Sequence, residues 1–169
     1  PLAAALHWRG GPLLTDDVGL AVSESEGDQA SFYPGFPRLK LWRDALDHFG
    51  LDHCSLTRDL TRTDKYHLHL DAGGGFHAQP LPLRRLYLLE RSAGDEVCIE
   101  PVRGHEAIAL IRAHTYRPGL VHRLGRSAEH LRACGRIAQR VRVFRFSRPW
   151  RLDRLEASLG PLLDHLHGD

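Results

Sequence analysis

Asp16 and Asp17 stand side by side behind the apolar run Leu13-Leu14-Thr15. The carboxyl end of a strand is where open α/β sheets place their ligands. Two carboxylates there can hold a divalent cation and take the proton of an attacking hydroxyl, the two tasks that phosphoryl transfer asks of acidic side chains. Neighbours on a strand point to opposite faces, but at a frayed end both can reach one site. On spacing alone the plainer reading is a turn that caps the strand, because aspartate is a common turn residue. Arg38 and Lys40 flank Leu39, so in an extended stretch both point to one side. They either steady phosphate oxygens or an acidic substrate tail, or form a solvated edge. Lysine occurs only at Lys40 and Lys65; Lys65 is a phosphate-binding or catalytic group, or an ordinary surface lysine. His67, His69 and Asp71 alternate along one strand face and have the residue types of metal ligands. With 12 histidines in the chain, such alternation arises readily by chance, and a metal there is the less favoured reading. Arg140, Arg142 and Arg145 form a basic edge, either solvated or facing an acidic peptide.

These side chains need elements to position them. The pattern predicts a helix over 1–8 stopped by Gly10-Gly11, a buried strand over 12–15 and a second strand over 18–23. An acidic loop is expected over 24–31, then a rigid turn over 33–37 with Pro34-Gly35 suited to type II geometry. Leu41, Trp42, Ala45, Leu46 and Phe49 recur at helical spacing and predict a helix over 40–49. The stretch 51–64 is polar and carries no clear signal. Strands are expected over 66–71, 83–90, 96–102 and 141–146, the last with one wet face, and a flexible break at 73–75. Helices are expected over 106–114, from Ser127 as cap to about 139, and over 153–167. Strands and helices interleave without repeat or linker, which implies one α/β domain around a mixed sheet flanked by helices.

Bulk composition sets outer bounds. The chain has 169 residues, 42% of them apolar and 26% charged, enough for one well-packed core. A net charge of +2 provides no strong field for nucleic acid or a membrane surface. No apolar stretch approaches the roughly 18–20 residues of a membrane span. Cys54, Cys98 and Cys134 are odd in number and in no ligand spacing, which suits a reducing, cytoplasmic setting.

Leu14-Thr15-Asp16-Asp17, followed by Tyr33-Pro34-Gly35-Phe36-Pro37-Arg38-Leu39-Lys40-Leu41-Trp42, resembles the HPr serine kinase family. It looks closest to the small HPr-kinase-like proteins encoded beside peptide-modifying enzymes, the lasso-peptide precursor kinases among them. The resemblance runs on through Pro80 to Leu89 and His114-Thr115-Tyr116-Arg117-Pro118. It implies the phosphate-loop fold shared with phosphoenolpyruvate carboxykinase, here without the first strand and the Gly-x-x-x-x-Gly-Lys-Ser/Thr loop, which are expected ahead of Pro1. It also implies an ATP- and Mg²⁺-dependent kinase acting on a serine of a small protein or precursor peptide. By the same likeness Asp16 is the metal ligand and Asp17 the base, with the two roles exchangeable, and Arg117 reaches the nucleotide or the transferring phosphate, in its own subunit or in that of a neighbour in a homo-oligomer. Tyr33 to Trp42 stands where HPr kinases carry an Arg-Gly-Leu-Gly-rich signature, which directs the expected substrate away from HPr itself. The rival expectation is a relative that binds peptide or nucleotide without turnover. A carboxykinase acting on a small oxoacid shares the fold but has no clear arginine-rich pocket in this sequence.

Overall fold

The computed structural model describes residues 1–23, 29–71 and 74–168. Its elements in chain order are α1 (Leu2–Trp8), β1 (Leu20–Ser23), β2 (Ala30–Tyr33), β3 (Arg38–Trp42), α2 (Arg43–His48), β4 (Thr57–Arg58), β5 (Lys65–His69), β6 (Leu81–Pro82), β7 (Arg85–Arg91), β8 (Cys98–Val102), α3 (Gly104–Ala113), α4 (Pro118–Arg123), α5 (Ser127–Arg140), β9 (Arg142–Arg148) and α6 (Leu155–His167). Short 3-10 turns cover His53–Ser55 and Leu152–Arg154. The class is mixed α/β, but the single mixed sheet expected from the sequence is replaced by three sheets of three strands, ordered β1-β2-β6, β3-β5-β4 and β7-β9-β8. The chain divides into two compact units: Pro1–Gly19, Pro34–Gln79 and Pro149–Asp169 make the first, Leu20–Tyr33 and Pro80–Arg148 the second.

The first unit is built on the antiparallel sheet β3-β5-β4. Residues 38–42 read charged-apolar-charged-apolar-aromatic, a period of two that puts Leu39 and Leu41 on one face. Both are fully buried, against Ala4, Leu13, Ala45, Leu46 and Tyr66. Side chains of this size stabilise by roughly 1.5–3 kcal/mol each when fully buried. The chain then turns directly into α2, with Trp42 still extended at φ −73 and ψ 158 as the residue before the first turn. Alongside, Ala5 packs with Leu155 and Leu159 of α6, and Arg9 pairs with Glu156.

The second unit centres on β9, parallel to β7 and antiparallel to β8. Leu88, Val102, Ala107 and Val143 form its main core, and Ala30, Ile137 and Val141 a second cluster under β1-β2-β6. Of the arginines expected on the wet side of the last strand, Arg142 is exposed and Arg145 half-buried, while Val143, Phe144, Phe146 and, beyond them, Arg148 are buried. Arg145, half-buried, lies 2.6 Å from Glu106 and 3.5 Å from Glu90.

Several local expectations are corrected. Residues 12–15 form no strand; Leu13 makes one parallel bridge, to Phe76. The helix expected from Lys40 begins at Arg43, because 38–42 are taken by β3. Gly35 does not adopt the positive φ that a type II turn requires of it. Ala30 and Ser31, expected in a loop, belong to β2, while 24–28 of that loop, and Gly73 of the expected break, lie outside the described residues. Ser127 does not cap α5; Arg126 occupies that position, without a side-chain cap bond. Among the described residues no helix is long and apolar enough to cross a membrane, and all three cysteines are free thiols.

Candidate functional site

The polar face of the β3-β5-β4 sheet gathers most of the residues singled out in the sequence. Pairing sets Arg38 opposite His69, Lys40 opposite His67 and Trp42 opposite Lys65, and directly opposed residues share a face. Thr57 of β4 stands opposite His67 on its other side. Three cations, two histidines and an indole therefore line the side of the sheet that Leu39 and Leu41 leave.

The two aspartates reach this face from the loop that follows Leu13. The loop is pinned in three ways. Gly35 N–H donates to the Leu14 carbonyl at 2.8 Å, Thr15 Oγ1 donates to the Val18 carbonyl at 2.8 Å, and Lys40 N–H donates to Asp16 Oδ2 at 2.7 Å. Strand β3 is at the edge of its sheet, so the last contact also covers an otherwise open backbone donor. Gly35 is required by close approach: a Cβ there would lie 2.6 Å from Thr15 Oγ1 and 3.2 Å from the Val18 carbonyl oxygen.

Asp17 Oδ2 then pairs with Lys40 Nζ at 2.8 Å. One lysine thus receives both aspartates, Asp16 through its backbone and Asp17 through its ammonium. The Asp17 carboxyl is held below the usual range chiefly by the hydrogen bond from Lys40, against an opposing push from burial, with the charges of Lys40, Lys65 and Arg38 adding to the lowering. Lys65 lies 5.6 Å over the Trp42 ring and Arg38 lies 5.0 Å over Phe36, contacts that hold long cations in place.

A further chain of contacts runs behind Arg38. Its Nη1 lies 3.2 Å from His67 Nδ1, and His67 Nε2 lies 2.9 Å from Asp59 Oδ2. Arginine can only donate, so Nδ1 accepts, and the proton sits on Nε2, which donates to Asp59. Asp59 Oδ1 also accepts from Thr61 N–H at 2.9 Å and Thr61 Oγ1 at 2.7 Å. The hydrogen bond from His67, followed by those from Thr61, pulls the Asp59 carboxyl far below its ordinary range. His67 is therefore engaged by Arg38 and Asp59. Asp71, beyond the end of β5, is exposed.

Arg117 belongs to the second unit. It is the one non-glycine residue with positive φ among the described residues, precedes α4, and stacks 5.1 Å over Tyr116. Asp59 carried no chemical signal in the sequence; its only trace is Asp59-Leu60-Thr61, a pattern in which an aspartate bonds the backbone two residues on. Among the described residues, one trio has metal-ligand atoms within 4.8 Å of one another: Asp52, His53 and Cys54. There Asp52 Oδ1 is occupied by the Cys54 N–H at 2.9 Å, and Asp52 raises the thiol's pKa, which disfavours the thiolate a metal needs.

The donor set on the sheet face suits a magnesium-bound polyphosphate. Asp16 Oδ1 has no hydrogen bond among the described residues, while Oδ2 is fixed by Lys40. A single oriented carboxylate oxygen beside cations is the protein share of many Mg²⁺–phosphate sites. Compared with protein-family models, with curated proteins and with solved structures, the chain matches none.

Proposed function

We propose that this chain is the catalytic part of an ATP- and Mg²⁺-dependent kinase with the phosphate-loop fold of the HPr-kinase-like proteins, acting on a serine of a small protein or precursor peptide. The observation that carries the reading is the convergence of Asp16 and Asp17 on Lys40, on a face shared with Arg38 and Lys65. Mg·ATP, when bound, supplies the phosphoryl group and the metal's positive charge. Asp16 Oδ1 is the oxygen left for the metal. Arg38, Lys40 and Lys65 offset phosphate charge, the main demand of a transition state whose charge sits on the equatorial oxygens. Asp17 Oδ1, the oxygen not engaged by Lys40, orients the serine hydroxyl and receives its proton.

A second reading, a module that binds peptide or nucleotide without turnover, is favoured by the Lys40–Asp17 ion pair, because the pairing reduces the proton affinity of the proposed base. One experiment separates the two. The full-length protein is incubated with γ-labelled ATP, Mg²⁺ and a panel of serine-containing peptides, and label transfer and thermal midpoint are both read. Kinase activity predicts transfer that falls by about 100-fold or more in Asp17→Asn with an unchanged midpoint. Stabilisation by Mg·ATP without transfer supports the binding module. Unchanged transfer in Asp17→Asn removes Asp17 as the base.

A further inference from the structure

The second unit has an open pocket of about 610 Å³ formed by the end of α3, by α4 and by the first turns of α5. Ala113, Pro118, Val121, Ala128 and Leu131 make most of its lining apolar. The apolar surface does not stop at the pocket: Leu131 is 45% exposed, Leu120 on α4 47%, and Leu124 just after it 73%. His130, also in the lining, is held by Thr115 Oγ1 at 2.9 Å from its Nε2, which fixes one wall.

The charge of this region is unlike that of the chain as a whole. Residues 107–140 contain seven arginines and three histidines against one acid, Glu129, in a chain whose net charge is only +2. Glu129 is bound to Arg126 at 2.5 Å. Arg112, which lines the pocket, and Arg117 and Arg123 at the two ends of α4 have no carboxylate partner among the described residues. An apolar pocket within a field of uncompensated cations fits a ligand that brings aliphatic anchors and carboxylates together. Nucleic acid is the poorer match, because Tyr116 is the only aromatic residue in 107–140 and single strands are held largely by stacking. A second copy of the same surface would set cation against cation.

We propose that this pocket docks an acidic amphipathic helix of a partner polypeptide, with leucine-type anchors at i, i+3, i+4 and i+7 entering between α4 and α5. The inference goes beyond phosphotransfer and does not depend on it, since it concerns binding to the second unit alone.

The probe is a fluorescein-labelled synthetic peptide with leucine at those positions and glutamate elsewhere, titrated with the full chain and followed by fluorescence polarisation. Saturable binding is expected, weakened ~10-fold or more in the double variant Arg112→Glu/Arg123→Glu and weakened by salt. Both arginines are exposed, so the variant should keep its thermal midpoint. Leu131→Ser, also at an exposed position, should weaken binding without the change in salt dependence. The proposal is overturned if the acidic peptide binds no better than its lysine counterpart, or if the double variant binds it equally well. It is likewise overturned if a single-stranded oligonucleotide binds more tightly than the peptide, or if sedimentation shows a dimer that excludes it.

Discussion

Lys40 organises the site by spending its two kinds of donor on two different acids. The backbone contact fixes Asp16 whatever the side chain is, whereas the Asp17 contact depends on the ammonium. Lys40→Met should therefore leave the Asp16 geometry intact and return the Asp17 carboxyl toward its ordinary range, readable by carbon-detected NMR titration of Asp17. Asp59 makes a different prediction. Its carboxyl is held low in the folded chain, so the unfolded chain takes up the proton first. The stability this provides is complete above the ordinary carboxylate value of about 4 and is lost as pH falls toward the lower folded value. Urea midpoints of wild type and Asp59→Asn should differ most near neutrality and converge in acid; parallel curves would show that another group carries the acid sensitivity. The two aspartates at 16 and 17 were legible as a pair because they are adjacent. The Asp59–His67–Arg38 chain was not, because it joins three separate stretches that only strand register brings together.

At the scale of elements, the face presented by β3 depends on the two leucines behind it. Leu41 is 1% exposed, and Leu41→Ala should cost about 2–5 kcal/mol, measured by urea denaturation. Gly35→Ala tests the pinning of the aspartate loop. The new methyl would overlap Thr15 Oγ1, and overpacking of this kind costs ~1–3 kcal/mol. In a Thr15→Ala background much of that cost should vanish; if it persists in full, the overlap is not its source. The long amphipathic helices α5 and α6 and strands β5 and β8 could be read from sequence because each repeats its pattern over its own length. The stretch 38–49 misled because β3 runs into α2 with no intervening loop, so that a window of helical spacing began inside a strand. Residues 12–15 look like a strand by composition, yet Leu13 alone makes a β-bridge. Helix α4 was missed because its entry uses a left-handed arginine, a conformation that sequence reserves for glycine or asparagine.

For the molecule as a whole, the average composition was the least informative part of the sequence. A net charge of +2 conceals the cationic segment 107–140, and one interleaved pattern of strands and helices conceals two compact units. The first unit is assembled from three stretches of chain, with the second inserted in two pieces between them. Its helix α6 supplies Leu155 and Leu159 to the cluster around Ala5. Truncation before Pro149 should thus remove cooperative unfolding of the first unit, seen as loss of amide protection in β3 and β5 by hydrogen exchange, while β7 and β9 remain protected. The order of the chain also sets a timetable for biosynthesis. Asp16, Asp17 and Lys40 leave the ribosome early, but the first unit lacks the Leu155 and Leu159 that pack on Ala5 until α6 emerges. The second unit can close while the first still lacks its last segment, and a nascent chain arrested before α6 has emerged should display the docking pocket long before it displays a formed site.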